Sequence, residues 1–259
     1  MSIYDGLIIL VLLFGIYLGY QRGIIKQVSD FAVLLITMII ASPLSKLLCK
    51  LLYPVLPFFN FTGDAKGIKS INLIVWRLII YFLLIAIILL IVRRVFIKLK
   101  ISAKIKESMV EAGIVSKILG IIMSVPLTVI VLYNVLIIIN VPLINFDVAK
   151  ESKVADFILE KTLIISSQNE DVYLSSNHAR KQVFSKNNTD ETYENINNKI
   201  INNMLKNNLT TKSVINKLED KNKLLGTRYT IIDEIEDEAG VTNPTEYNKT
   251  RENTTEYKK

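Results

Sequence analysis

The feature that most constrains the fold is a set of four apolar runs within the first 144 residues. They cover residues 3–20, 28–48, 73–92 and 113–139, and each is close to the roughly 20 residues that a helix needs to cross a bilayer. A water-soluble helical core would show polar faces at helical spacing, and the stretch LIIYFLLIAIILLIV in the third run has none. The sequence therefore predicts an all-α membrane protein with four transmembrane helices in residues 1–144.

The remainder of the chain is polar and is predicted to form a tail that is partly helical and partly disordered. Residues 145–239 are rich in Asn, Lys, Thr and Glu but keep some helical apolar spacing. Residues 240–259 show no apolar periodicity, which is typical of a disordered terminus. We therefore divide the chain into a transmembrane domain at 1–144, a polar helical tail at 145–239 and a disordered end at 240–259.

Three helices are predicted in the tail. The first, over residues 154–165, is amphipathic and suited to the membrane face. The second, over residues 194–209, places Ile196, Ile200, Met204 and Leu205 on one stripe. The third follows Thr211, whose side chain is typical of a helix N-cap, and is expected to end at Gly226.

The charge distribution indicates how the chain is oriented in the membrane. Residues 1–144 contain 14 Lys and Arg against five Asp and Glu, whereas the rest contains 17 against 19. The basic residues stand in the connections between apolar runs, as topology signals do, so nucleic acid is not an expected partner. The first and third connections carry nine cations and the opposite side carries seven. We therefore expect both termini and the tail to lie outside the cytoplasm.

Small residues repeat at a spacing of four in the first and fourth runs. Because apolar side chains meet equally apolar lipid, membrane helices associate by close packing, which small residues permit. Such spacings also arise by chance, and that alternative stays open. The residues predicted to pack helices together are Gly15, Gly19, Gly23, Gly113, Gly120 and Ser124.

Charged residues near the ends of the runs are predicted to face lipid headgroups. Arg22 and Lys26 are four residues apart and would share one helical side, where they are candidate headgroup contacts or simple topology anchors. Asp30 stands at the opening of the second run, where an anion suits a helix N-terminus. Arg77 lies about one turn into the third run and is expected to extend toward headgroups.

The order of several short motifs resembles the colicin V production protein (CvpA) family. Asp5 precedes the first span, GYQRGIIKQ closes it, GIVSKILGIIMS opens the fourth, and ESKVADFILEKT follows. The chain differs from the family pattern at Ser124, where glycine is usual, and at Val125–Pro126, which replace Arg-Gly. The resemblance covers residues 1–162 and marks Asp5, Arg22 and Lys26 as family-motif residues and candidate headgroup contacts. It implies an inner-membrane protein linked to colicin V production and envelope homeostasis.

The expected function is that of a scaffold or envelope-maintenance factor that affects toxin production and export. The alternative is a small oligomeric channel or transporter subunit. We expect no enzyme, cofactor or metal, because His178 is the single histidine, Cys49 the single cysteine, and no serine-nucleophile motif is present. His178 is predicted to be a surface residue. The expected partners are the lipid bilayer, a second copy of the chain and an unidentified envelope protein.

Overall fold

The computed structural model describes residues 2–98, 113–143, 152–162, 167–184 and 193–224. Within these residues the chain is helical and contains no strand. A π-helical turn, Phe157–Lys161, continues the short helix Lys153–Asp156, and single 3₁₀ turns form at Gly63–Ala65 and Ser167–Asn169. The helices are α1 (Ile3–Leu52), α2 (Ile71–Lys98), α3 (Gly113–Ile139), α4 (Lys153–Asp156), α5 (Glu170–Phe184), α6 (Tyr193–Lys206) and α7 (Lys212–Asp220).

Three helices in the described residues are long and apolar enough to cross a membrane, namely Ile3–Leu52, Ile71–Phe96 and Gly113–Ile139. The third and fourth apolar runs each lie on one of them. The first and second runs share α1, so the predicted connection between them differs from the structure. Only Gly23, with φ 69° and ψ 171°, departs from helical dihedral angles there. The physical reason is that a single residue without a Cβ interrupts the helix where a longer loop was expected.

The direction of α1 relative to α3 reverses at Gly23. Before this residue α1 runs antiparallel to α3, because Gly15 lies against Thr128 and Gly23 lies against Ser116. After it α1 runs parallel to α3, because the Met38 sulfur accepts a hydrogen bond of 3.4 Å from the Asn134 amide. The hydroxyl oxygen of Ser116 accepts a hydrogen bond of 3.3 Å from the Ile24 amide, which caps the second half of α1.

The second half of α1 also packs antiparallel to α2. The Tyr53 hydroxyl donates a hydrogen bond of 2.8 Å to the carbonyl of Leu73, at the start of α2. Deeper in the bundle, the Tyr81 hydroxyl donates to the Asn134 side chain at 3.1 Å. Asn134 therefore links α2 to α3 and, through Met38, to α1, so the three long helices form one packed unit.

The tail agrees with its prediction in one helix and differs from it in three places. The agreement is helix α6, which coincides with most of residues 194–209 and buries Ile196, Ile200 and Met204. Thr211 precedes α7, but its side chain makes no capping hydrogen bond. The first tail helix is divided into α4 and the π-helical turn, and α5 has no counterpart in the sequence prediction. Residues 163–165, Gly226 and residues 240–259 lie outside the described residues.

Candidate functional site

Arg77 is the largest fully buried side chain of the described residues, with 0% of its surface exposed. It lies two turns into α2 and faces the second half of α1. Its Nη1 donates a hydrogen bond to the Ser45 hydroxyl, and its Nη2 donates one of 3.2 Å to the Ser42 carbonyl. The expectation that Arg77 extends to lipid headgroups is therefore wrong, because protein groups surround its guanidinium.

The charge that compensates Arg77 comes from the tail. Asp171 stands in the first turn of α5, and its Oδ2 lies 3.6 Å from Arg77 Nη2. The same oxygen lies 3.5 Å from Lys46 Nζ of α1. The Asp171 side chain is 9% exposed, whereas that of Lys46 is 32% exposed. Because a buried unpaired charge is strongly destabilising, Arg77 depends on Asp171 to occupy this position.

A cavity of about 540 Å³ opens beside this ion pair. Arg77, Lys46 and Ser42 line it from the membrane helices, and Glu170 and Asp171 line it from the tail. The Nε of Arg77 is buried and has no hydrogen-bond partner among the described residues. The cavity thus combines two cations and two carboxylates at the end of the apolar helices.

Asp5 forms a second junction between the membrane helices and the tail. Its carboxylate accepts a hydrogen bond of 2.6 Å from the Ser152 hydroxyl and one of 3.4 Å from the Val154 amide. It also accepts a hydrogen bond of 2.9 Å from the Ser2 amide, which completes a capping box at the start of α1. The Ser152 hydroxyl in turn accepts a hydrogen bond of 3.0 Å from the Ala155 amide. Asp5 is thus 6% exposed and holds protein groups rather than a headgroup.

Three further contacts attach the tail to the same end of the bundle. The Ser42 hydroxyl donates a hydrogen bond to the Gln168 carbonyl, and the Asn197 side chain accepts a hydrogen bond of 2.9 Å from the Ser70 amide. Arg180 of α5 donates a hydrogen bond of 3.1 Å to the Ile139 carbonyl at the end of α3. The tail therefore contacts the ends of all three long helices.

Most of the small residues singled out in the sequence lie in one α1–α3 contact. A Cβ built on Gly19 would lie 2.5 Å from the Gly120 carbonyl oxygen and 2.6 Å from the Ser124 Cβ. A Cβ on Gly15 would overlap the Thr128 side chain. A Cβ on Gly23 would lie 2.7 Å from the Ser116 hydroxyl. The two backbones therefore approach more closely than any residue with a side chain allows.

Gly113 does not take part in this contact, because nothing lies within 4 Å of a Cβ built there. Its φ of 53° instead places it among the positions that favour glycine, at the first residue of α3. Thr128 and Ser116, which complete the contact on α3, were not among the predicted residues. Their signal in the sequence was their spacing around Gly120 and Ser124.

Arg22, Lys26 and Asp30 meet at the opposite end of the bundle from the tail. The Asp30 carboxylate lies 2.6 Å from Lys26 Nζ and 3.9 Å from an Arg22 guanidinium nitrogen. Arg22 and Lys26 lie on either side of the helix break at Gly23, so they are not on one face of a continuous helix. They lie close together because both contact the Asp30 carboxylate. Their side chains are 48% and 42% exposed, and both remain accessible to a headgroup.

His178 is half-buried on α5, and its Nε2 has no hydrogen-bond partner among the described residues. Within the same part of the chain, no three His, Cys, Asp or Glu side chains lie close enough to hold a metal ion. Cys49 is a buried free thiol. Asp171 was missed in the sequence because it lies in a polar helix, where a carboxylate is ordinarily solvated.

These observations define the class of protein as a helical integral membrane protein whose polar tail is joined to its spans by a buried ion pair. The family described as Colicin V production protein matches residues 4–163, more than half of the chain, and the chain belongs to that family. No curated protein and no solved structure matches the chain significantly. The matched region ends within the first part of the tail, so α5, α6 and α7 lie beyond it.

Proposed function

We propose that this member of the colicin V production family is a bacterial inner-membrane scaffold that maintains the cell envelope and supports toxin export. The observation that carries the proposal is the ion pair between Arg77 and Asp171, which are 0% and 9% exposed. A tail held by a buried ion pair is a fixed platform on the membrane helices, as a scaffold requires. The proposed role is binding and support, without catalysis or a cofactor.

The proposal includes four membrane crossings, with α1 crossing twice. The reversal of α1 at Gly23 supports it, because residues 3–22 and 24–52 each have enough length at 1.5 Å per residue to cross about 30 Å of hydrocarbon. The exposed charged side chains of Arg22 and Lys26 stand at the point of reversal. Ionic side chains at that point favour its location at the membrane surface.

The proposed orientation places the tail outside the cytoplasm. Four crossings bring Arg22, Lys26 and the cation-rich residues 93–117 to one end, which the positive-inside rule assigns to the cytoplasm. At the other end Lys46 is paired with Asp171, which weakens the rival assignment. The tail would then meet its partners, a second copy of the chain or an envelope protein, on the outer side of the inner membrane.

Complementation tests the scaffold proposal. A bacterium that lacks the gene should regain resistance to detergent and secretion of its toxin-like product when it receives the wild-type gene. The Asp171→Asn variant should restore neither, whereas Glu170→Gln should restore both, because Glu170 is exposed in the same helical turn. Equal restoration by both variants would contradict a role for the docked tail.

The channel or transporter alternative is favoured by one observation, the cavity of about 540 Å³ beside Arg77. A solute pathway through this cavity should give flux in liposomes that contain purified protein, and filling the cavity with Ser42→Trp should abolish the flux. A scaffold gives no flux in either case. Capture of the intact membrane complex identifies the partner that a scaffold requires.

A further inference from the structure

A second cavity, of about 560 Å³, lies within the tail between α5, α6 and the start of α7. Its described lining contains no carboxylate. The cations and hydrogen-bonding groups that face it come from three helices and the turn between α6 and α7. They include His178, Lys199, Lys206, Asn208, Thr210 and Lys212.

All the charged side chains among the described residues that line this cavity are lysines, so its charge is positive. Lys206 ends α6 and Lys212 begins α7, so the two ammonium groups flank the same turn. Neither forms an ion pair with a described residue. Like charges around one cavity repel each other, and an anion between them removes that repulsion.

Two residues that line the cavity each have a buried polar atom without a hydrogen-bond partner among the described residues. Thr210 is 2% exposed, and its hydroxyl has no hydrogen-bond partner among the described residues. The Nε2 atom of His178 is also buried and has no hydrogen-bond partner among the described residues. Buried polar groups are normally hydrogen-bonded, and an oxyanion with several oxygens suits both a hydroxyl and the surrounding ammonium groups.

We propose that this cavity binds a phosphate ester, supplied either by an anionic phospholipid headgroup or by a soluble phosphate compound. The ammonium groups of Lys206 and Lys212 hold the charge, and the Thr210 hydroxyl donates to one phosphate oxygen. The site lies near the membrane surface, because Asn208 lines both this cavity and the one that contains Arg77. A lipid headgroup can therefore reach it.

The only histidine of the chain reports on this site. Burial and the nearby ammonium groups of Lys181 and Lys199 lower the pKa of His178 below its usual value. Lys206 and Lys212 face the same cavity from α6 and α7. A bound phosphate ester adds a negative charge next to the imidazole, so it raises the pKa of His178 by about 1 pH unit.

The experiment is an NMR titration of His178 in full-length protein with isotope-labelled histidine. The protein is placed in phosphatidylcholine nanodiscs, in nanodiscs that also contain phosphatidylglycerol, and in phosphatidylcholine nanodiscs with added glycerol 3-phosphate or inorganic phosphate at constant ionic strength. A pKa rise with phosphatidylglycerol alone assigns the lipid headgroup as ligand. A rise with the soluble compounds assigns a soluble phosphate, and either result supports the site.

Matched variants separate a site from the general charge of the membrane surface. Lys206→Gln with Lys212→Gln should remove at least half of the pKa rise. Lys66→Gln with Lys217→Gln removes the same charge from exposed positions outside the cavity and should leave the rise intact. No rise under any condition, or an equal rise in both double variants, overturns the proposal.

Discussion

The Nη2 of Arg77 lies 3.6 Å from the Oδ2 of Asp171, so a fully buried cation of a membrane helix is neutralised by a carboxylate of the polar tail. Lys46 shares that carboxylate at 3.5 Å. The consequence is a dependence of the transmembrane bundle on the tail. Without α5, the interior of the bundle contains a guanidinium that has hydrogen bonds but no counter-charge.

Substitution of Asp171 by Asn should destabilise the whole protein, because it leaves Arg77 buried and uncompensated. Loss of one partner of a buried ion pair typically costs about 3–5 kcal/mol. We expect a lower midpoint of thermal unfolding in detergent and faster protease cleavage within the tail. Glu170→Gln, at an exposed position of the same turn, should change neither measurement.

A double substitution distinguishes the loss of charge balance from the loss of packing. Arg77→Met with Asp171→Leu removes both charges and keeps apolar volume, which is often neutral or stabilising for buried pairs. Its unfolding midpoint should therefore exceed that of Asp171→Asn. A double variant as unstable as the single one would show that charge compensation is not what stabilises this junction.

Gly19→Ile should separate α1 from α3. A side chain there meets the Gly120 carbonyl oxygen at 2.5 Å, so the two backbones must move apart. We expect normal insertion but a loss of about 1–3 kcal/mol in stability, measured as unfolding in detergent and as abundance in the membrane. Gly6→Ile is the control, because nothing lies within 4 Å of a Cβ at Gly6, and equal instability of the two variants would contradict close packing at Gly19.

Gly23→Ala should strain the reversal of α1. The φ of 69° and ψ of 171° at Gly23 belong to a region that is almost exclusive to glycine, and residues forced into it cost about 1–3 kcal/mol. We expect a lower unfolding midpoint than for Gly6→Ala, whose new methyl group occupies open space. Wild-type stability of Gly23→Ala would mean that α1 continues without this break.

Asp5 and Ser152 should show energetic coupling in a double-mutant cycle. Their hydrogen bond of 2.6 Å joins the first turn of α1 to the start of the tail. Asp5→Asn and Ser152→Ala should each lower stability, and the pair should lose less than the sum of the two, with a coupling of about 0.5–3 kcal/mol. Additive losses would place the two residues in independent roles.

The parts of the structure that the sequence predicts are those with local causes. Apolar runs predict the long apolar helices because their length and lack of polar faces suffice, and the stripe of Ile196, Ile200 and Met204 predicts α6. The small residues repeated at a spacing of four predict the close contact between the first and fourth runs, including Gly120 and Ser124, but not Ser116 and Thr128. The reversal of α1 at Gly23 was not predicted either, because it depends on the backbone conformation of that residue alone, with φ 69° and ψ 171°.

The junction with the tail could not be predicted, because its causes are distant in the chain. Arg77 at the edge of an apolar run is ordinarily solvated by headgroups, and nothing near it in sequence indicates Asp171. Asp5 likewise looks like an isolated family-motif residue until Ser152 meets it. Pairing of this kind is decided by which helices share one end of the bundle, and this arrangement is a property of the whole fold.

Cysteine labelling on intact cells most directly tests four membrane crossings with the docked tail outside the cytoplasm. In a Cys49→Ala background, single cysteines replace Gln21, Lys98 and Ser213, which are all exposed. A membrane-impermeant maleimide should label the cysteine at 213 on intact spheroplasts and those at 21 and 98 only after lysis. Labelling of positions 21 and 98 from outside, with 213 protected, would invert the orientation. Opposite accessibility of positions 21 and 98 would contradict the double crossing of α1.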